Sequence, residues 1–182
     1  LGATWGNRLT GQTSWQGQIS LEPAGERVRI VSDLVGLGSS LPAPLAKPAA
    51  QALPLLVTSQ PQADGQLHEV RLGKTVGAMW RSTTGGRFNR GEIRFGGPAV
   101  MPGEPGLRLA GSGHGLDFSG WLAMLPGGDG QDALSLSSIE LSFDAFDLMG
   151  RRYQDIRLQG RIRNGLFRTQ VNGRDLNGVL TY

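Results

Sequence analysis

Apolar residues recur at every second position through most of this 182-residue chain, which restricts it to a sheet with one apolar face. The C-terminal third shows the pattern most fully. Tyr153–Ile162, Leu166–Val171 and Arg174–Tyr182 alternate, and the breaks between them are Asn164-Gly165 and Asn172-Gly173. Asn-Gly marks a two-residue hairpin turn because both central residues need positive φ. Such turns pair Ile162 with Phe167 and Leu158 with Val171, then Thr169 with Leu176 and Phe167 with Gly178. Ile156, Leu180 and Tyr182 join these on one face, while Arg157, Arg161, Arg163 and Arg168 fall on the other.

The N-terminal half repeats this logic. Glu22-Pro23-Ala24-Gly25 turns Thr13–Leu21 back into Glu26–Leu34, setting Leu21 opposite Glu26, Ile19 opposite Val28 and Gly17 opposite Ile30. Further on, a three-residue loop Gly73-Lys74-Thr75 sets Leu72 opposite Val76, Val70 opposite Ala78 and His68 opposite Trp80. A two-residue loop would split these apolar sets between faces, so three is the predicted length, with Gly73 or Lys74 in an unusual conformation. Leu134–Leu148 is a long strand whose parity slips twice; bulges near Ser137-Ser138 and Ala145 would reconcile it.

Two stretches break the alternation. Phe118, Trp121, Leu122 and Leu125 lie at i, i+3, i+4 and i+7, one face of a helix that Asp117 or Ser119 can cap and that Pro126-Gly127-Gly128 ends. Val35–Pro54 holds four prolines, which forbid one long helix and leave at most a short one within Lys47–Leu53. Its leucines make it too apolar for an ordinary exposed loop. It is either a crossover packed on its own sheet or an apolar flap that meets lipid or another module. The predicted fold is one mainly β domain over 1–182, built from hairpins and a C-terminal meander, with one or two short helices.

Composition narrows the chemistry. Cysteine is absent, which removes disulfides, thiolate metal sites and a cysteine nucleophile. His68 and His114 stand apart from one another and from any triad or metal-ligand spacing. Asp144 and Asp147 read as solvated charge, and no glycine run has the context of a phosphate loop. Trp5, Trp15, Trp80 and Trp121 sit at inward parity and are expected as core anchors. No enzyme activity, metal or cofactor is expected, and no nucleic-acid partner. One charged stretch stands out: Arg151 to Arg174 holds seven arginines and a single acid, Asp155. Phosphate groups would suit it, although an alternating strand with a solvated outer face has the same composition. The chain opens at Leu1 with no signal peptide and no apolar run of bilayer length, so it is expected to be a piece of a longer chain.

Four stretches, in order, resemble the C-terminal part of the YhdP-type, AsmA-like family: Asp33–Val57, Arg90–Leu125, Phe146–Arg161 and Val171–Tyr182. They are scaffold motifs rather than catalytic signatures. Gly113-His114-Gly115 departs from the family's more ordinary strand-end sequence. The resemblance implies a segment of a large bacterial envelope protein, anchored in the inner membrane and crossing the periplasm as a U-shaped β-groove. That family is implicated in moving phospholipid toward the outer membrane and is not regarded as enzymatic. On this basis the expected groove liners are Ile19, Val28, Ile30, Ile156, Leu158, Ile162, Phe167, Leu176 and Leu180, in contact with phospholipid acyl chains. Phe118, Trp121, Leu122 and Leu125 would plug one end, and the same liners would equally form a closed core beneath that helix. Adjacent β-groove modules of the same chain and other envelope proteins are the further partners implied. The alternative is a non-enzymatic structural or protein-interaction module.

Overall fold

The computed structural model describes residues 6–124, 136–163 and 166–181; the side chains of Leu122, Arg163 and Phe167 lie outside that description. Thirteen strands are described: β1 (Leu9–Gly11), β2 (Trp15–Glu22), β3 (Gly25–Ser32), β4 (Leu37–Ser39), β5 (Leu55–Gln62), β6 (Gly65–Leu72), β7 (Val76–Thr83), β8 (Phe88–Phe95), β9 (Gly106–Asp117), β10 (Leu136–Leu148), β11 (Arg151–Arg163), β12 (Leu166–Asn172) and β13 (Gly178–Thr181). Eleven form one open, curved sheet in the order β13-β12-β11-β10-β9-β8-β7-β6-β5-β3-β2, and β1 pairs with β4 alone.

The hairpin registers follow from turn length and side-chain parity. β2 and β3 pair as Leu21↔Glu26, Ile19↔Val28 and Gly17↔Ile30. β6 and β7 pair as Leu72↔Val76, Val70↔Ala78 and His68↔Trp80, with Gly73 taking the positive φ of 53°. In the meander, Leu158↔Val171 and Ile162↔Phe167 also match the expected register. Two joins differ from an all-antiparallel sheet. β8–β9 and β9–β10 are parallel, because the chain returns through Gly96–Pro105 and then past a helix instead of reversing in a tight turn.

The last hairpin corrects an expectation. Asn172-Gly173 is not a two-residue turn; Val171 pairs with Gly178 and Thr169 with Leu180, four residues beyond the predicted register. Two local causes widen the loop. A Cβ on Gly173 would collide with Ile156 Cδ1, so the chain passes tightly over the most buried side chain of the core. Asn177 then closes the loop, donating to Gly173 O at 3.0 Å and accepting from Gly173 N at 3.3 Å. Leu176 consequently packs against the core from a loop, not from a strand. A shift of four preserves parity, so Leu180 keeps its expected face.

β10 handles its parity slips in two ways. Register against β9 shifts between Leu136 and Ser138. At Asp144 the ladder with β11 skips the pair with Asp155, which takes φ 55°, and both Phe143 and Phe146 end up buried. The neighbouring Gly113 admits the Phe143 ring, since a Cβ there would lie 3.0 Å from Cε1.

The single described helix, α1 (Phe118–Leu122), is shorter than predicted, and Leu125 lies outside the described residues. Asp117 caps it by accepting from Gly120 N at 2.8 Å. Phe118 stacks on Phe146 at 5.3 Å, and Trp121 packs on the same cluster. The proline-rich segment meets α1 from the far side. Ala43 O accepts from Trp121 Nε1 at 2.9 Å and from Asp117 N at 3.2 Å. Its base is set by Lys47, 7% exposed, whose ammonium donates to the carbonyls of Leu34, Leu37 and Pro48. No helix forms there; Gln51 N bonds Pro48 O in a single turn. In sheet order β3 and β9 are separated by four strands. The loop between Ser39 and Lys47 is therefore a strap that ties the β3 region to the helix beside β10.

On the other face, the β8–β9 connection is fixed by Glu92. This carboxylate, 1% exposed, accepts from Val100 N at 2.9 Å and pairs with Arg94 at 2.7 Å and Arg108 at 3.4 Å. A buried carboxylate is tolerated when both its oxygens are matched in this way.

Trp121 joins the core, the helix and the strap. Trp121→Ala should therefore destabilise the protein by roughly 3–5 kcal/mol in urea unfolding, whereas Trp121→Phe, which removes chiefly the hydrogen bond to Ala43, should cost about 1 kcal/mol. A loss below about 1 kcal/mol for Trp121→Ala would make the helix peripheral.

Candidate functional site

Ladder pairing carries side-chain parity from strand to strand, so one row of residues can be followed across the whole sheet. From β2 it runs Gly17, Ile30, Val57, Val70, Ala78 and Ile93. It continues through Leu109, Ile139, Gly160 and Thr169 to Leu180 on β13. The next row on this face, from Trp15 through Leu55, Leu72, Phe95 and Leu141 to Gly178, is likewise uncharged. The opposite face carries Arg29, Glu69, Glu92, Arg108, Arg161 and Arg168 in a single row.

The apolar face divides in two. Beneath α1 it is a closed core, in which Ile139, Leu141, Phe143, Ile156, Leu158 and Val171 are all buried. From β2 to β8 it has no such cover. Val28, Ile30, Val57, Val70, Ala78 and Ile93 are half-buried, and Ile19 is 70% exposed. The expected groove liners fall on both sides of this division. Ile19, Val28 and Ile30 line the open part. Ile156 and Leu158 belong to the closed core, Leu176 packs against it from its loop, and Ile162 and Leu180 are exposed toward the β13 edge. For Phe167 only the backbone pairing is described. Trp15, expected inside, is 64% exposed on β2, the edge strand of the sheet among the described residues.

Sequence reasoning missed two polar contacts. His114 Nδ1 lies 2.8 Å from Asp144 Oδ2, although the residues are thirty positions apart, because the parallel β9–β10 join places them side by side. Both are solvent-exposed, and Asp147 is paired with Arg152 at 2.7 Å, so these carboxylates do not form an acid–base pair. His68 stands on the apolar face, stacked on Trp80 at 4.9 Å with Nε2 3.0 Å from Ser82 Oγ. Desolvation among these neighbours holds its pKa below the ordinary value. Among the described residues no group of His, Asp or Glu could hold a metal ion, and no helix is long and apolar enough to cross a membrane.

An open, curved, mainly β sheet with one largely apolar face and one charged face defines the class: a β-trough protein. The chain belongs to the YhdP family, whose model matches residues 1–182. Family membership points to an AsmA-like envelope protein. No curated protein and no solved structure matches the chain.

The depressed His68 pKa gives stability a defined pH dependence. In the unfolded chain His68 takes up its proton at a higher pH than in the folded one, so its contribution is complete above about pH 6.5 and is lost as pH falls below it. Urea midpoints should fall between about pH 7.5 and about pH 5.5, and His68→Gln should flatten that step; an unchanged slope would remove His68 as its source.

Proposed function

We propose that this chain is a segment of a periplasmic lipid bridge, in which the apolar face holds phospholipid acyl chains passing between inner and outer membrane. The observation that carries this is the uncharged row from Gly17 to Ile93, left uncovered while the same row beneath α1 is sealed. Covering such a face with acyl chains stabilises by about 25 cal/mol per Å² of apolar surface removed from water. Among the described residues β2 and β13 are the edge strands, and they suit addition of neighbouring modules of the same chain, which would extend the trough. No covalent bond changes in such a passage, so the activity is non-enzymatic. Membership of the YhdP family supports the envelope setting.

A structural or interaction module is the second possibility, favoured by the exposed Trp15, Ile19 and Leu21 on the β2 edge. Mass spectrometry of lipid co-purified with the protein separates the two. Phospholipid should be recovered with the wild type and reduced several-fold by Ile30→Asp with Val57→Asp, which place carboxylates on the open face while leaving the core under α1 untouched. Lipid-free protein that still binds envelope proteins would favour the module.

A further inference from the structure

The polar face has a feature that acyl-chain binding leaves unused. On β9 to β13 it forms a solvent-open concavity of about 520 Å³, lined by Arg108, Ser138, Gln159, Arg161, Arg168 and Gln170 among others. Pairing sets Ser138, Arg161 and Arg168 side by side across three strands, with Arg108 next to Ser138. The charges are unequal in their satisfaction. Arg108 is neutralised by Glu92 at 3.4 Å and by Glu140, which also lines the cavity, at 2.8 Å. Arg161 and Arg168 are exposed, directly opposite each other, and neither has a carboxylate partner among the described residues.

Like charges in direct cross-strand register repel, and that repulsion is relieved by an anion between them. Two guanidinium forks about one strand spacing apart match the oxygens of one phosphate group. Gln159, Gln170 and the Ser138 hydroxyl add neutral donors, and the concavity is open enough to leave a substituent on the phosphate unobstructed. Elsewhere along this face Glu69 and Glu92 interrupt the basic residues, so the positive charge is local rather than a track for a nucleic-acid backbone. We propose that Arg161 and Arg168 form a binding site for a phosphate-bearing group. The sheet separates this site from the apolar face, so it does not depend on lipid occupying the trough.

Titration of the protein with inorganic phosphate, followed by NMR of the arginine Nε–H groups, tests the site. Arg161 and Arg168 should shift together, and R161Q/R168Q should weaken binding at least roughly tenfold. R29Q/R87Q removes the same charge from β3 and the β7–β8 turn, far across the sheet, and should change binding by less than about twofold. Sedimentation with phosphatidylglycerol/phosphatidylcholine vesicles identifies the source of the group. Capture lost in R161Q/R168Q but kept in R29Q/R87Q assigns a lipid headgroup; phosphate binding without capture assigns a soluble phosphate ester. Equal weakening by both double variants, or unmoved Arg161 and Arg168 signals with vesicle capture independent of them, would overturn the proposal.

Discussion

The structure depends on register. Eleven strands form one continuous sheet, and apart from local shifts at Arg81/Ser82, Leu136/Ser138 and Asp144 the ladders keep most apolar residues on one face. A slip of one residue anywhere would turn that strand's apolar set toward the charged face and place its charges in the trough. This is why turn length matters so much here. The three-residue Gly73-Lys74-Thr75 loop keeps Val70 and Ala78 on one face, and the wider loop before β13 shifts by an even number, which leaves Leu180 where parity requires it.

A sheet that is apolar on one side needs something to define where the trough ends. Here the closure comes from α1 together with the strap, not from closing the sheet into a barrel. Ala43 meets Asp117 and Trp121 at one end of the strap, while Lys47 gathers the carbonyls of Leu34, Leu37 and Pro48 at the other. The prolines that rule out a long helix leave a strap of bends and one turn, closed by Leu45 N donating to Pro42 O, with few donors to satisfy. The result is a closed core beneath the helix and an uncovered apolar face beyond it, within one sheet.

Much of this was legible in the residues. Hairpin registers were readable because parity leaves one acceptable turn length, and the helix because Phe118 and Trp121 keep helical spacing beside a capping Asp117. The parallel joins were not, since Gly96–Pro105 has the composition of any Gly/Pro-rich turn and its anchor, Glu92, looks like an ordinary strand charge until Val100 folds over it. The Asn172-Gly173 signal was overridden by tertiary packing on Ile156, which local propensity cannot register. The site was half legible. Parity named the residues that share one face, but whether a residue stays uncovered, as Ile30 does, or joins the closed core, as Ile156 does, depends on where α1 lies. The arginine-rich stretch was visible as composition; that Arg161 and Arg168 lack carboxylate partners while Arg108 has two emerged only from the strand order.

Adjacent residues on β5 offer the most direct measurement of the central claim, because Val57 belongs to the apolar row and Thr58 to the charged one. A photo-crosslinking amino acid placed at each position in turn, irradiated in cells and followed by mass spectrometry, reports what touches each face. Phospholipid adducts at position 57 and their absence at position 58 are predicted. Equal labelling at the two positions, or none at 57 in folded protein, would contradict an acyl-chain trough.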